Sequence, residues 1–461
     1  MPSKTKRAQM RTEQKIIPKL VVWSLVGFVI KLIIILNIQS VNVKIDNQNF
    51  ISLNGIWAGS DAEGYLKGYF SLVSEGIFSK NGILSYWPAG YPLIIFALSI
   101  FSGVNSLIVL SILQSIVFTV AAFYFAMQIS KTSLRKYTFF VYFLIAFNPT
   151  LSLTSVWIGY ENLAASGFLL MLAIIIKDLV EKNKSKLMVY VAINSVISGI
   201  VVFIQPRFVV SVVIINFTWI LYKRNITTVI PLLVLSVFIT LLFPASLVYR
   251  NYQATGLKVI STNLGVTMNL GAGDKATGSY RSEGQGVDCD TTGLGPDKAD
   301  SKLVKCVFSW YLNNPDKAVK LFFNKSVYFW SPWAGPEGNG TMGRNPWLKI
   351  HPIKDITASQ DGVKLVFGNF GKWVSWLWIF GGITLLFYGF LVLWRSHDLA
   401  RLIGIIAISV VIANWMISLM TIGDHRFRIP IMGLSLFLQA IGLKTLFRGG
   451  KPAMVDGLAL R

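Results

Sequence analysis

Long apolar stretches separated by short polar ones dominate the chain. Residues 20–38, 105–129, 137–155, 162–176, 187–204, 208–221, 228–249, 373–394, 402–422 and 429–446 are each predominantly apolar. Most approach or exceed the roughly 18 to 20 residues that a helix needs to cross a bilayer. Because lipid cannot satisfy an open backbone, such stretches must be helical. The pattern therefore predicts an all-α polytopic membrane protein with about ten transmembrane helices. The fourth and sixth stretches are short. Either those helices run past these boundaries, or they end in a recess where polar groups need not reach lipid. The apolar run 93–101 is only about nine residues, too short to span, and is expected to form an interfacial or re-entrant helix on the outer side.

Composition agrees: 53% of the 461 residues are hydrophobic and 14% are charged, which is too apolar for ordinary soluble domains. A net charge of +22 would suggest nucleic acid in a soluble protein. Here the basic residues lie between the apolar spans, so the expected partner is the lipid bilayer and no nucleic acid is expected. Lys4, Lys6, Arg7, Arg11, Lys15 and Lys19 precede the first span. No small-residue cleavage site follows it, so a retained helix is expected rather than a signal peptide. With that end placed in the cytoplasm, further basic clusters fall on the same side: Lys131 to Lys136, Lys177 to Lys186, Lys223 and Arg224, Arg395 and Arg401, and the tail. The asymmetry predicts both termini inside and an even number of spans, in a plasma (inner) membrane. The expected organisation is an N-terminal transmembrane module, 1–249, with a first outer loop at 39–104. A large extracytoplasmic loop, 250–372, and C-terminal helices with a cytoplasmic tail, 373–461, complete it.

Function is sought in the two long outer segments. The second holds Cys289 and Cys306, the only cysteines. An oxidising compartment would favour a disulfide between them, and two unrelated thiols are the alternative. The Gly-rich run 271–278, GAGDKATG, matches neither dinucleotide nor phosphate-loop spacing and reads as a loop. Asp61, Glu63, Glu161, Arg207, Arg250, His425, Arg426 and Arg428 all fall at outer ends of spans, where burying charge is costly unless it has a role. Carboxylates beside guanidinium groups suit attack by a hydroxyl on a lipid-linked phosphosugar. The carboxylate takes the hydroxyl proton and the cations stabilise the departing phosphate. Taken singly, most of these residues would serve equally well as interfacial anchors or solvated loop charges. Lys31, inside the first span, either snorkels or faces a phosphate.

From Asp61 onward the sequence resembles a known family. Residues 61–95, DAEGYLKGYFSLVSEGIFSKNGILSYWPAGYPLII, are similar to the first outer loop of GT-C glycosyltransferases. That superfamily includes dolichyl-phosphate-mannose-protein mannosyltransferases and bacterial aminoarabinose transferases. The shared features are Asp61, Tyr65, Gly76 and the Trp87-Pro88-Ala89-Gly90-Tyr91-Pro92 element, where Trp87 and Ala89 depart from the usual Pro-Pro-Gly-Tyr-Pro-like form. Asn148-Pro149 with Glu161, Gln205-Pro206-Arg207, the 244–251 segment, Phe329-Trp330-Ser331-Pro332 and His425 to Pro430 (HRFRIP) continue the match in order. The resemblance implies inverting transfer of a sugar from a polyprenyl-phosphate donor to a glycan, lipid or protein acceptor. It implies Asp61 as general base, with Glu63 as the local alternative, and Glu161 assisting. Arg207, Arg250 and Arg426 would hold the donor phosphate, since a guanidinium can grip phosphate with two parallel hydrogen bonds. Tyr65, Trp87, Tyr91 and His425 would contact substrate. No cofactor and no obligatory divalent ion are expected. Two other readings are a multi-pass lipid or polysaccharide transporter and a polysaccharide polymerase. No internal repeat supports the first, and the early Asp-x-x-x-Tyr loop argues against the second.

Overall fold

The computed structural model describes residues 4–38, 41–44, 50–58, 61–222, 224–279, 286–330, 371–396 and 398–447. Ser331, Pro332, the rest of the large loop up to residue 370 and most of the basic C-terminal tail lie outside the described residues. The described chain is predominantly helical. It begins with α1 (Lys4–Asn37), α2 (Ala62–Glu75), α3 (Ile83–Tyr86), α4 (Gly90–Ser102) and α5 (Ser106–Ser130). Next come α6 (Thr138–Ala146), α7 (Pro149–Leu153), α8 (Glu161–Glu181), α9 (Leu187–Ile204), α10 (Val209–Leu221) and α11 (Ile226–Thr255). The large loop contributes α12 (Leu264–Leu270), α13 (Pro296–Asn313) and α14 (Pro315–Trp330), before α15 (Gly371–Trp394), α16 (Asp398–Met420) and α17 (Ile429–Leu446).

Among the described residues, eight helices are long and apolar enough to cross a bilayer, or nine if the α6–α7 pair is one span. About ten were expected, and the stretches that depart from a straight, full-length crossing do so for local chemical reasons. The third apolar stretch is broken: its two parts, Ser133–Ala146 and Pro149–Val156, are bent by 56°. Pro149 disfavours helical backbone at Asn148. The Asn148 side chain then caps the new helix by accepting from the Leu151 amide at 2.9 Å. The sixth, Pro206–Leu221, is shorter than a full span. The fourth runs past its expected boundary, because α8 is 21 residues long. The seventh also continues, to Thr255, so Arg250 sits on a helix and not at the start of a loop.

Helix α4 carries the short run 93–101. By length and composition Gly90–Ser130 counts as one apolar stretch of 41 residues. The chain nevertheless reverses within it. Gly103 adopts φ +53°, a left-handed conformation that glycine tolerates without strain. Tyr91 Oη then donates to Gln114 Oε1 on α5 at 3.0 Å. Residues 91 and 114 would be about 34 Å apart in a continuous helix, so α4 folds back along α5. At 13 residues it is about 20 Å long, too short to cross a hydrocarbon core of about 30 Å.

One large core cluster joins most of the spans, including Phe118, Phe125, Phe168, Leu169, Trp219, Ile406 and Phe437. Helices α15 and α17 pack backbone to backbone: a Cβ on Gly442 would stand 2.5 Å from the Leu385 carbonyl oxygen, and one on Gly389 would collide with that of Leu438. Small residues at such crossings are how helices approach closely in lipid, where van der Waals contact replaces the hydrophobic effect. Two short strand pairs complete the described fold. Val41–Lys44 pairs antiparallel with Phe50–Leu53. Trp57–Ala58 pairs in parallel with Trp157–Ile158, in the register Trp57 to Trp157 and Ala58 to Ile158.

Candidate active site at one end of the bundle

The parallel strand pair builds the site. Ala58 and Ile158 lie side by side, and three residues further along each chain stand Asp61 and Glu161. Each then meets the start of a helix. Asp61 precedes α2 and makes no side-chain capping bond. Glu161 is the first residue of α8, where a negative charge is favoured by the exposed amides and helix dipole.

Arg426 joins the two carboxylates. Its Nη2 lies 2.5 Å from Asp61 Oδ2, and its Nε donates to Glu161 Oε1. The Arg426 backbone is held as well. Asp424 accepts from the Arg426 amide at 3.0 Å, closing the short 3-10 turn His425–Arg428 that leads into α17. The Arg426 guanidinium also lies 5.6 Å from the Tyr160 ring centroid. Glu161 is fully buried, whereas the Asp61 side chain remains 23% exposed. The two acids thus differ in access: Asp61 can meet a substrate, while Glu161 stands behind the guanidinium.

A second cation is close at hand. Arg207, at the start of the short helical segment before α10, stacks 4.0 Å from the Phe427 ring centroid. Its Nε and Nη2 are shielded from solvent and have no hydrogen-bond partner among the described residues. Glu161 Oε2 and Trp157 Nε1 are likewise buried without partners. Buried polar atoms in that state cost free energy unless a ligand or water completes them. Arg428 donates to the Trp330 carbonyl at 2.8 Å and faces its ring at 5.6 Å.

The aromatic candidates form the floor beneath Asp61. Tyr65, one helical turn from Asp61, packs 4.9 Å from Tyr91 and 6.0 Å from Trp87. Burial pushes the Tyr65 hydroxyl well above its ordinary range, and the Asp61 charge adds to this. Tyr160 is raised mainly by burial as well, with Glu161 adding. Tyr91 receives the Gly159 amide at 2.9 Å while donating to Gln114, so it fixes the loop carrying Glu161. Trp87 is half-buried and closes over Gly64. His425 is 3% exposed, with Nδ1 3.3 Å from Asp424 Oδ1.

Two sequence candidates stand apart. Glu63 is 55% exposed and pairs with Lys67 one turn along α2 at 2.8 Å, directed to solvent. Arg250 donates to the Ile77 carbonyl at 3.0 Å, to Asn251 at 2.8 Å and to the Ser79 carbonyl. Ile77 lies just beyond the far end of α2, about 20 Å from Asp61 by helical rise. Arg250 therefore ties α11 to the α2–α3 turn and does not join the carboxylates. Lys31 is buried against Phe118 and 3.3 Å from Thr119 Oγ1. The cysteines are bonded, Cys289 to Cys306, with Cα atoms 6.3 Å apart. Sequence reading missed Tyr160, Trp157 and Lys325. Lys325 was legible in principle: Ala318, Leu321, Lys325 and Phe329 recur at helical spacing on the buried side of α14, and a lysine on such a stripe is unusual.

Among the described residues no three His, Cys, Asp or Glu side chains converge as a metal cage. Asp61 and Glu161 do converge, and a guanidinium lies between them. That donor set does not fit a divalent cation, which the Arg426 charge would repel.

No family model matches the chain, and no curated protein matches it. A solved structure with a similar arrangement is the archaeal oligosaccharyltransferase AglB from Archaeoglobus fulgidus, determined with an inhibitory peptide and a dolichol-phosphate. The likeness has a TM-score of 0.47 at 14% sequence identity and covers 92% of this chain and 50% of that one. The chain thus spans half the length of that enzyme, and so distant a likeness carries no argument about function.

Proposed function

We propose that this protein is a membrane glycosyltransferase that moves a sugar from a polyprenyl-phosphate donor to an acceptor hydroxyl at the extracytoplasmic face, with inversion. The observation that carries the reading is the bridging of Asp61 and Glu161 by Arg426. Three segments far apart in sequence meet at one point, beside the uncommitted guanidinium nitrogens of Arg207.

In this reading the acceptor oxygen attacks the anomeric carbon and its proton passes to Asp61. The bond between that carbon and the phosphate oxygen breaks, and the lipid phosphate leaves with the electron pair. Arg426 orients Asp61 through their ion pair, and position accounts for much of what a general base contributes. Glu161 holds Arg426 from the opposite side. Arg207 is the group suited to the departing phosphate, because its Nε and Nη2 have no hydrogen-bond partner among the described residues. Arg250 contributes architecture instead. Both termini would be cytoplasmic, and the acceptor, whether glycan, lipid or protein, would come from the outer side.

Replacing Asp61 by Asn tests this directly. Transfer, read by mass spectrometry of envelope glycans from cells with the wild-type or variant gene, is expected to fall at least 100-fold at normal protein abundance. Glu63→Gln should change it less than about twofold, since an exposed ion pair contributes little. Undiminished transfer by the Asp61 variant would remove the proposal.

A further inference from the structure

Helix α16 ends at Met420, and five residues later the chain presents His425 and Arg426. A helix end leaves its last carbonyls without intrahelical partners, and here two of them are met by side chains of the large loop. Lys325 Nζ, on α14, donates to the Leu419 carbonyl at 2.8 Å and to Tyr311 Oη at 2.8 Å. Tyr311, on α13, passes its own proton toward the Met420 carbonyl at 3.4 Å. The relation is reciprocal, because Arg428 donates to the carbonyl of Trp330, the last residue of α14. Between these ties the backbones touch: Gly423 donates to the Gly278 carbonyl at 2.9 Å, and a Cβ on Gly423 would collide with Lys325. Trp415 further anchors α14 through Ser326 at 3.1 Å.

Lys325 is fully buried and touches neither Asp61 nor Glu161 in any described hydrogen bond or ion pair. A buried lysine with two acceptors is well matched as a double donor. We infer that Lys325 is a positioning residue for Arg426, fixing the end of α16 so that the following turn delivers the guanidinium between the two carboxylates. The inference rests on the glycosyltransferase reading above. It assigns the large loop a role in assembling the site through α13 and α14, beyond any contact with substrate.

A double-mutant cycle tests it. Lys325→Met is expected to lower glycan transfer about tenfold at unchanged abundance, yet to add no further loss in an Arg426→Lys background. Tyr311→Phe, which keeps the ring and removes one acceptor, should behave the same way with a smaller loss, and it decides the matter if the Lys325 variant fails to accumulate. Equal fold-losses in both backgrounds would mean that Lys325 serves general stability, and wild-type transfer by both single variants would mean that it serves nothing here. Either result overturns the inference. If instead Arg426→Lys itself transfers at the wild-type rate, the functional reading falls first.

Discussion

At the scale of single residues, the site is governed by where charge is compensated. Arg426 is buried between two acids, and removing it would leave Glu161 buried without its ion-pair partner. Breaking a buried ion pair by deleting one partner typically costs about 3 to 5 kcal/mol. Arg426→Met is therefore expected to lower the thermal midpoint in detergent markedly, and a second change, Glu161→Gln, should recover part of the loss. An additive result would show that the two side chains do not interact. Lys325 gives a pH prediction. Burial pushes its amine down to about 7, against an ordinary value of about 10.4. Below pH 7 the folded and unfolded loop are both protonated, and the burial penalty is fully present. Between about pH 7 and 10 the unfolded loop holds a proton that the folded loop has released, so stability rises with pH. Thermal unfolding at pH 7 and pH 9 should show this rise in the wild type and a smaller one in Lys325→Met. The neutral amine is also the better fit, since its two N–H groups match two acceptors.

At the scale of elements, breaks in the helices matter as much as the helices. The bend at Asn148 and the reversal at Gly103 interrupt apolar stretches, and the helical segment that starts at Pro206 carries Arg207. The opposite end is closed differently. Arg224 pairs with Asp178 at 2.7 Å, and Trp219 Nε1 donates to the same carboxylate at 3.0 Å, which locks α8 to α10. Where helices must approach most closely, glycine permits it. Gly389→Leu is expected to force α15 and α17 apart, since overpacking a tight crossing costs about 1 to 3 kcal/mol. Lower abundance and a reduced thermal midpoint would register this, and an unchanged midpoint would contradict the backbone contact.

At the scale of the whole molecule, the described part of the large loop packs against the end of α16. The Cys289–Cys306 bond closes a segment with a sequence separation of 17, a constraint of about 3 kcal/mol in chain-entropy terms. If that loop faces the extracytoplasmic side, a membrane-impermeant maleimide should label neither cysteine in intact cells until a reductant is added. Labelling that appears only after permeabilisation would place the loop in the cytoplasm and reverse the proposed topology.

The amino-acid sequence determined what solvent alone can dictate. Apolar stretches of bilayer length had to become helices, because an unpaired backbone in lipid is too costly, and the stretches did become helical. It also marked Asp61, Glu161 and Arg426 as charges at helix ends, which is why all three were legible. Partners were not legible, because they depend on chain segments that meet only after folding. Nothing in the order of residues shows that Trp57 pairs with Trp157, or that Arg426 would bridge two acids. Likewise Arg250 stood beside Arg207 as a phosphate ligand and Glu63 as the local alternative to Asp61, whereas α11 carries Arg250 toward Ile77 and the turn of α2 leaves Glu63 in solvent. Helix formation is a local matter of hydrophobicity and hydrogen bonding, whereas the meeting of charges is decided by tertiary packing.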